Sequence, residues 1–369
     1  MSIRFQFGTL ALALTLGLTG IGCEQPSASD DESNRAQAGG EYWGSKFPNG
    51  TGVHIGTTKP LSQWGFATSY GWFYTTGFTN SVPNVLVNGG YFDGVNYNPG
   101  TGKILTAEQS GISYSVREIS AEDGQLHVVV IDPSTFASVD LSGDKLNDLR
   151  LHVQLPPPFK GADLRTYSLI FHGVKELDSN TKDVFGYQLT TQIDNSPGAK
   201  EVAFCQRNDL GTNEMAQFTG GSQWNPMTAK RTDAKALTSV SCESGAIGRC
   251  AQWGYRPWAK AANKATGTSE YLPDAHQACI YMKRADYCGN GDTYTVDGTM
   301  IGISDVFDPA FQATGGGKLE ALWTPKGALC LGLQRHPDMP IAPACATTLP
   351  SCSSSATWSG YYMESSLTE

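Results

Sequence analysis

What the chain lacks narrows its function first. In 369 residues there is no Gly-x-Ser-x-Gly, no His-Glu-x-x-His and no phosphate-binding loop, so three common enzyme classes lose their sequence signature. Basic residues are scarce, 26 against 35 acidic ones, for a formal charge of −9. An acidic surface repels phosphate backbones and anionic headgroups, which argues against nucleic acid as a partner. Apolar residues make up 40%, while Gly and Pro number 42 and 19. That balance suits a turn-rich, mainly β protein better than a helical bundle. Cysteine is absent between Cys23 and Cys205. Residues 24–40 contain no aliphatic side chain larger than Ala and have nothing to bury.

The length predicts roughly two domains. Residues 1–22 carry one charge, Arg4, ahead of an apolar run from Phe5 to Leu18. This reads as an export signal, too short for a membrane-spanning helix. Without it the counts become 26 − 1 = 25 basic and 35 acidic residues, a charge of −10. Gly20-Ile21-Gly22-Cys23 resembles the lipobox of bacterial lipoproteins, with Gly20 where that pattern usually carries Leu. The resemblance implies acylation of Cys23 and a lipid anchor in the cell envelope, with the membrane as partner; without acylation the protein is secreted. Residues 23–40 then form a disordered tether with a reach on the order of tens of ångströms.

Residues 41–155 read as an N-terminal β-rich region. Short β-type runs at 66–78, 84–92, 111–119 and 125–133 are bounded by turn residues, Asn88-Gly89 among them. The aromatics Trp64, Phe66, Tyr70, Trp72, Phe73, Tyr74 and Phe78 suit a sheet core, with a sugar-stacking platform as the alternative. Pro156-Pro157-Pro158 closes this region. Alternating runs at 165–177, 185–193 and 200–206 predict an antiparallel meander.

Further on the period changes. A strand over 236–242 precedes Ile247, Cys250 and Ala251, which share one helical face up to Gly254. Pro273-Asp274 opens a second helix with His276 and Cys279 on one face, and the sequence expectation ends it at Gly289. A strand over 299–307 follows, then a hairpin of 319–323 and 328–333 around Thr324-Pro325-Lys326-Gly327. Residues 353–369 read as a flexible tail.

The eight cysteines of the C-terminal half, Cys205, Cys242, Cys250, Cys279, Cys288, Cys330, Cys345 and Cys352, are disulfide candidates in an oxidising compartment. The expected pairs are Cys345–Cys352, closing a local loop, and Cys250–Cys279, joining the two helices.

Several motifs resemble the ADYC domain family: Cys242/Cys250, Trp253-Gly254-Tyr255-Arg256-Pro257-Trp258, His276 to Gly291 including Ala285-Asp286-Tyr287-Cys288, and Gly327-Ala328-Leu329-Cys330-Leu331. The resemblance spans about residues 160–340 and implies an exported or lipid-anchored protein without an established activity. The ADYC-like domain is accordingly placed at 156–352, giving a mainly β, α+β fold of antiparallel strands with two short helices and a disulfide-stapled C-terminal domain.

No other window is as rich in reactive groups as residues 276–305. His276, Cys279 and Cys288 with Cys250 offer four zinc donors, but lack the paired Cys-x-x-Cys knuckles of structural sites. A thiolate at Cys279 or Cys288 with His276 as base matches no thiol-hydrolase motif. Asp286, Asn290, Asp292 and Asp297 fail the EF-hand spacing. No metal or cofactor is therefore assigned. The functional expectation is a non-catalytic surface or periplasmic module that binds a glycan or an envelope protein, or serves structurally. The alternative is a secreted hydrolase acting on envelope or extracellular polymers through His276, Asp286 and Asp305.

Overall fold

The computed structural model describes residues 53–54, 74–79, 84–88, 100–155, 165–177, 183–193, 198, 200–205, 214–225, 228–243, 245–295, 299–308, 310–311, 317–339, 341, 345, 347–352 and 358–367. Cys23, the tether, Asp297 and the aromatics Trp64, Phe66, Tyr70, Trp72 and Phe73 lie outside them.

The described chain is dominated by antiparallel strands. β1 (Val53–His54), β2 (Tyr74–Thr79), β3 (Asn84–Asn88) and β4 (Gly100–Gln109) precede the meander β5 (Ile112–Glu122), β6 (Gln125–Ile131) and β7 (Ser138–Ser142). A 3-10 turn at Gly143–Leu146 leads to β8 (Arg150–Leu155), β9 (Arg165–Glu176), β10 (Phe185–Ile193), β11 (Val202–Ala203), β12 (Ala216–Trp224) and β13 (Arg231–Cys242). Helices α1 (Ala246–Gln252) and α2 (Pro273–Arg284) bracket β14 (Lys260–Asn263) and β15 (Ser269–Tyr271). β16 (Met300–Asp305), β17 (Phe307–Asp308), β18 (Lys318–Thr324), β19 (Gly327–Leu331) and β20 (Met363–Leu367) follow.

β3 pairs with both β2 and β4, so the order β3-β2-β13-β12-β10-β9-β8-β4 closes into a ring of eight. Closure removes the sheet edges that would otherwise expose unpaired backbone. The period-2 pattern sets which face is buried: Leu126, Val128 and Val130 of β6 turn inward with Tyr167, Leu169 and Phe171 of β9 and Tyr187 and Leu189 of β10. The Tyr187 ring meets Phe218 edge-on at 5.0 Å, and its hydroxyl accepts the Leu126 N–H at 2.7 Å. Gly220 allows β12 to approach β5, since a Cβ there would lie 2.1 Å from the Ala121 carbonyl oxygen.

The division expected between Leu155 and Pro156 falls between two paired strands of this sheet. β8 ends there as the prolines require, but it pairs with β9 along its whole length, Arg150 opposite Ile170 through Leu155 opposite Arg165. Proline stops a strand without ending a domain, because the returning chain supplies the missing backbone partners.

A second core lies around α2, with α1, the five-stranded sheet β1-β16-β20-β18-β19 and the small sheet β15-β14-β17. Here residues 363–367, within the tail expected to be flexible over 353–369, form a strand instead. β20 is hydrogen-bonded on both edges, to β16 and to β18. Met363 and Ser365 are fully buried, and Ser365 Oγ accepts the Trp323 indole N–H at 2.7 Å. A Ser-rich pentapeptide looks disordered by composition, yet two flanking strands satisfy its backbone. The two cores are clamped together by Asp183, which accepts from the Arg256 guanidinium and, at 3.1 Å, from the Trp258 indole.

Four disulfides staple the C-terminal region: Cys205–Cys242, Cys250–Cys279, Cys288–Cys345 and Cys330–Cys352. The helix-joining pair is the one expected. The local pair Cys345–Cys352 is not formed. Leu331 N donates to Pro350 O and Cys352 N donates to Leu331 O, so the chain after Cys345 runs beside β19 and delivers Cys352 to Cys330. Cys345 instead meets Cys288.

Candidate functional site

The ADYC segment sits where α2 ends. α2 starts with Pro in its first turn and Asp274 beside it, suited to the positive end of the dipole. Every residue from Ala275 to Arg284 is buried, so the helix is the centre of its lobe and not a surface element. It stops four residues earlier than Gly289. Ala285 adopts a left-handed conformation, φ +50°, and the N–H groups of Ala285 and Asp286 close on the carbonyls of Met282 and Tyr281 at 3.0 and 2.8 Å. Arg335 reinforces that end by donating to the carbonyls of Met282 at 2.9 Å and Lys283 at 3.3 Å.

Each letter of the motif then has a physical role. Ala285 is the left-handed stop. The Asp286 carboxylate, fully buried, accepts the N–H groups of Asn290 at 3.1 Å and Gly291 at 2.7 Å, which shapes the following turn. Burial pushes its pKa up to about 6, although Arg284 and the two amides pull the other way. Tyr287 stacks between Trp323 and Tyr294, at 5.4 and 5.9 Å. Its hydroxyl donates to Glu320 Oε1 at 2.8 Å and accepts the Arg335 N–H at 2.9 Å. Burial holds that phenol protonated well beyond its ordinary range. Cys288 is tied to Cys345. Gly289, at φ +62°, touches the β18–β19 turn so closely that a Cβ would lie 2.1 Å from Lys326 O.

Behind the motif lies an ion pair that the sequence did not reveal. Glu320 and Arg335 are fully buried, joined by two 2.9 Å bonds, with Arg335 also donating to Thr295 Oγ1 at 3.2 Å. The two residues come from β18 and from the segment after β19, and only the hairpin's fold brings them to Tyr287. Their sole sequence signal is charge flanking apolar runs, too common to single them out.

The three proposed catalytic side chains are held in separate networks. His276 is buried beside Trp224 at 5.4 Å and donates from Nε2 to the Ile247 carbonyl at 3.0 Å, while Nδ1 has no hydrogen-bond partner. Burial lowers its pKa to about 3, so it stays neutral. Asp305 accepts the Tyr255 hydroxyl at 3.0 Å and the N–H groups of Phe307 and Phe311, both at 2.9 Å, with Lys264 Nζ at 3.9 Å. Asp286 faces its own turn. Among the described residues, no hydrogen bond or ion pair joins any two of the three.

The thiol readings fail on the same ground. Cys250 and Cys279 are bonded to each other and Cys288 to Cys345, leaving no thiolate to ligate zinc or attack a substrate. Among the described residues no three His, Cys, Asp or Glu side chains converge as a metal site. Other imidazoles among the described residues meet acidic or hydroxyl side chains: His127 with Asp140 at 2.9 Å, His152 with Glu108 at 3.6 Å, His172 with Glu201 at 3.1 Å and His336 Nε2 with Thr299 Oγ1 at 2.9 Å. Ser168 Oγ lies 3.2 Å from His152 Nδ1, but Ser168 is fully buried and out of a substrate's reach.

No curated protein and no solved structure matches this chain. The family model of the ADYC domain matches residues 143–337, a span that begins at the 3-10 turn before β8 and ends just past Arg335. It therefore takes in β8–β13, both helices, the motif and its buried ion pair, more than half of the sequence. By that match, the chain belongs to the ADYC domain family.

Proposed function

We propose that the protein is an exported envelope lipoprotein, acylated at Cys23, whose ADYC domain is a non-catalytic module for binding or structural support toward a glycan or an envelope protein. The observation that carries this reading is how the chemistry-bearing side chains of residues 276–305 are used. Asp286 and Asp305 accept backbone N–H groups, and His276 donates to a backbone carbonyl. Groups so engaged organise a fold; they are not poised at a cleft for proton transfer.

The cysteines support an exported compartment. All eight in the C-terminal region are paired, as suits maturation in an oxidising space outside the cytosol. No helix among the described residues is long and apolar enough to cross a membrane, and the anchor rests on the leader and Cys23.

Two experiments test the two parts. Intact mass is measured on the mature protein from membranes, alkylated without reductant in denaturant and chelator, alongside Cys23→Ala. The proposal expects no alkylation, an acyl mass increment, and loss of membrane association in the variant. An unacylated mature chain would remove the anchor. Hydrolysis of an envelope polymer that Asp286→Asn abolishes, with the fold retained, would replace the binding reading with the hydrolase.

A further inference from the structure

The turn held by Asp286 contains Asn290-Gly291, a dipeptide whose chemistry the binding reading does not use. An Asn side-chain amide followed by Gly is intrinsically labile, because Gly puts no Cβ in the way of its own nitrogen. The Gly291 nitrogen attacks Asn290 Cγ, the Cγ–Nδ2 bond breaks, and ammonia leaves with the proton that Gly291 gave up. Water then opens the cyclic imide at either carbonyl, giving aspartate or isoaspartate. The reaction needs only water.

Asn290 is exposed, so burial does not shield it. The atoms that must move are restrained instead. The Gly291 N–H is donated to Asp286 Oδ2 at 2.7 Å. Asn290 Oδ1 accepts the Asp292 N–H at 3.1 Å, and Nδ2 donates to Asp292 Oδ2 at 2.8 Å. The Gly291 carbonyl accepts from the Arg284 guanidinium. Upstream, Cys288 is cross-linked and Gly289 abuts Lys326 O. Ring closure must turn the Asn290 side chain onto the Gly291 nitrogen, which releases both its bonds to Asp292 and the bond to Asp286.

We propose that Asn290-Gly291 is a latent deamidation site held closed by Asp286 and Asp292, so that opening of the ADYC turn is recorded as an irreversible covalent change. The change blocks reclosure. Conversion to aspartate removes the Nδ2 donor and sets a new carboxylate against Asp292. Isoaspartate lengthens the backbone and draws the Gly291 N–H away from a buried carboxylate.

The test follows conversion of Asn290 by peptide mapping in the full oxidised chain at mildly alkaline pH, with Asn49-Gly50 and Asn88-Gly89 as references. In the denatured, reduced chain all three should convert at similar rates. In the folded chain Asn290 should be slower than in the denatured chain by at least roughly tenfold, since hydrogen bonds to two carboxylates must break first. Asp286→Ala should restore most of the denatured rate. Asp292→Ser, at an exposed position, should raise the rate several-fold with the near-UV circular dichroism unchanged. If Asp286→Ala does not fold, Asp292→Ser decides alone. Conversion of folded wild-type Asn290 at the denatured rate would overturn the proposal. So would full protection persisting in the folded variants.

Discussion

Asp286 makes the stability of this protein depend on pH in a direction opposite to that of an ordinary salt-bridged carboxylate. Its side chain is fully buried, and burial raises its pKa from the ordinary 3.8 to about 6; Asp292 adds to the rise, while Arg284 and the amides of Gly291 and Asn290 oppose it. Folding therefore favours the protonated form. The stability this contributes is fully present below about pH 4 and is lost as pH rises through about 6. The gap between the two values corresponds to about 3 kcal/mol. Asp132, with its pKa lowered by Ser134 and Thr135, slopes the opposite way, so wild type alone is a poor test. Asp286→Asn has no titrating group at this position and retains the others. Urea unfolding of both proteins at about pH 4 and about pH 7 isolates the effect. The variant should gain about 2–3 kcal/mol on wild type between those conditions, whatever fixed offset the amide introduces. Parallel pH dependences would mean that the carboxyl is not desolvated and that the account of the turn is wrong.

Three other outcomes follow from the same geometry. Glu320→Gln should lower stability by about 3–5 kcal/mol, because Arg335 keeps its charge with no carboxylate beside it; a shift in the urea midpoint reports this, and a change under about 1 kcal/mol would show that water reaches the pair. Removing the Cys250–Cys279 bridge by double substitution to Ser reopens a loop with sequence separation 29 and should cost about 3–4 kcal/mol on the chain-entropy account, read as a lower melting temperature. Phe136 is 81% exposed and adopts φ +58°, so Phe136→Gly should relieve left-handed strain with little packing to lose and raise stability by about 1 kcal/mol; a loss would mean that the ring makes contacts essential to its loop.

Local features of this chain were legible because local physics controls them. Alternation in Gln125–Ile131 and Phe185–Ile193 marks β6 and β10, since a half-buried strand can only alternate. Pro273 and Asp274 mark the start of α2, because a first helical turn needs no N–H from Pro and welcomes a negative charge. Clustering of eight cysteines after position 204 marks the stapled half; spacing alone chooses no connectivity, and of the two expected pairs only Cys250–Cys279 is formed.

The remainder depended on partners distant in sequence. Where α2 ends was decided by Ala285 turning left-handed and by Arg335, about fifty residues away, reaching its last carbonyls. Cys345 and Cys352 look like neighbours in a loop, but the path of the chain beside β19 separates them. β20 is a central strand because β16 and β18 leave a gap that its backbone fills, a property absent from the residues Met-Glu-Ser-Ser-Leu themselves. The sequence of residues 276–305 also drew attention to His276, Asp286 and Asp305 as chemistry, whereas the fold engages each with its own backbone partners. A sequence window determines which groups are present and which periodic face they share. Whether a carboxylate meets a substrate or a buried amide depends on desolvation and long-range pairing, which exist only once the tertiary structure has formed.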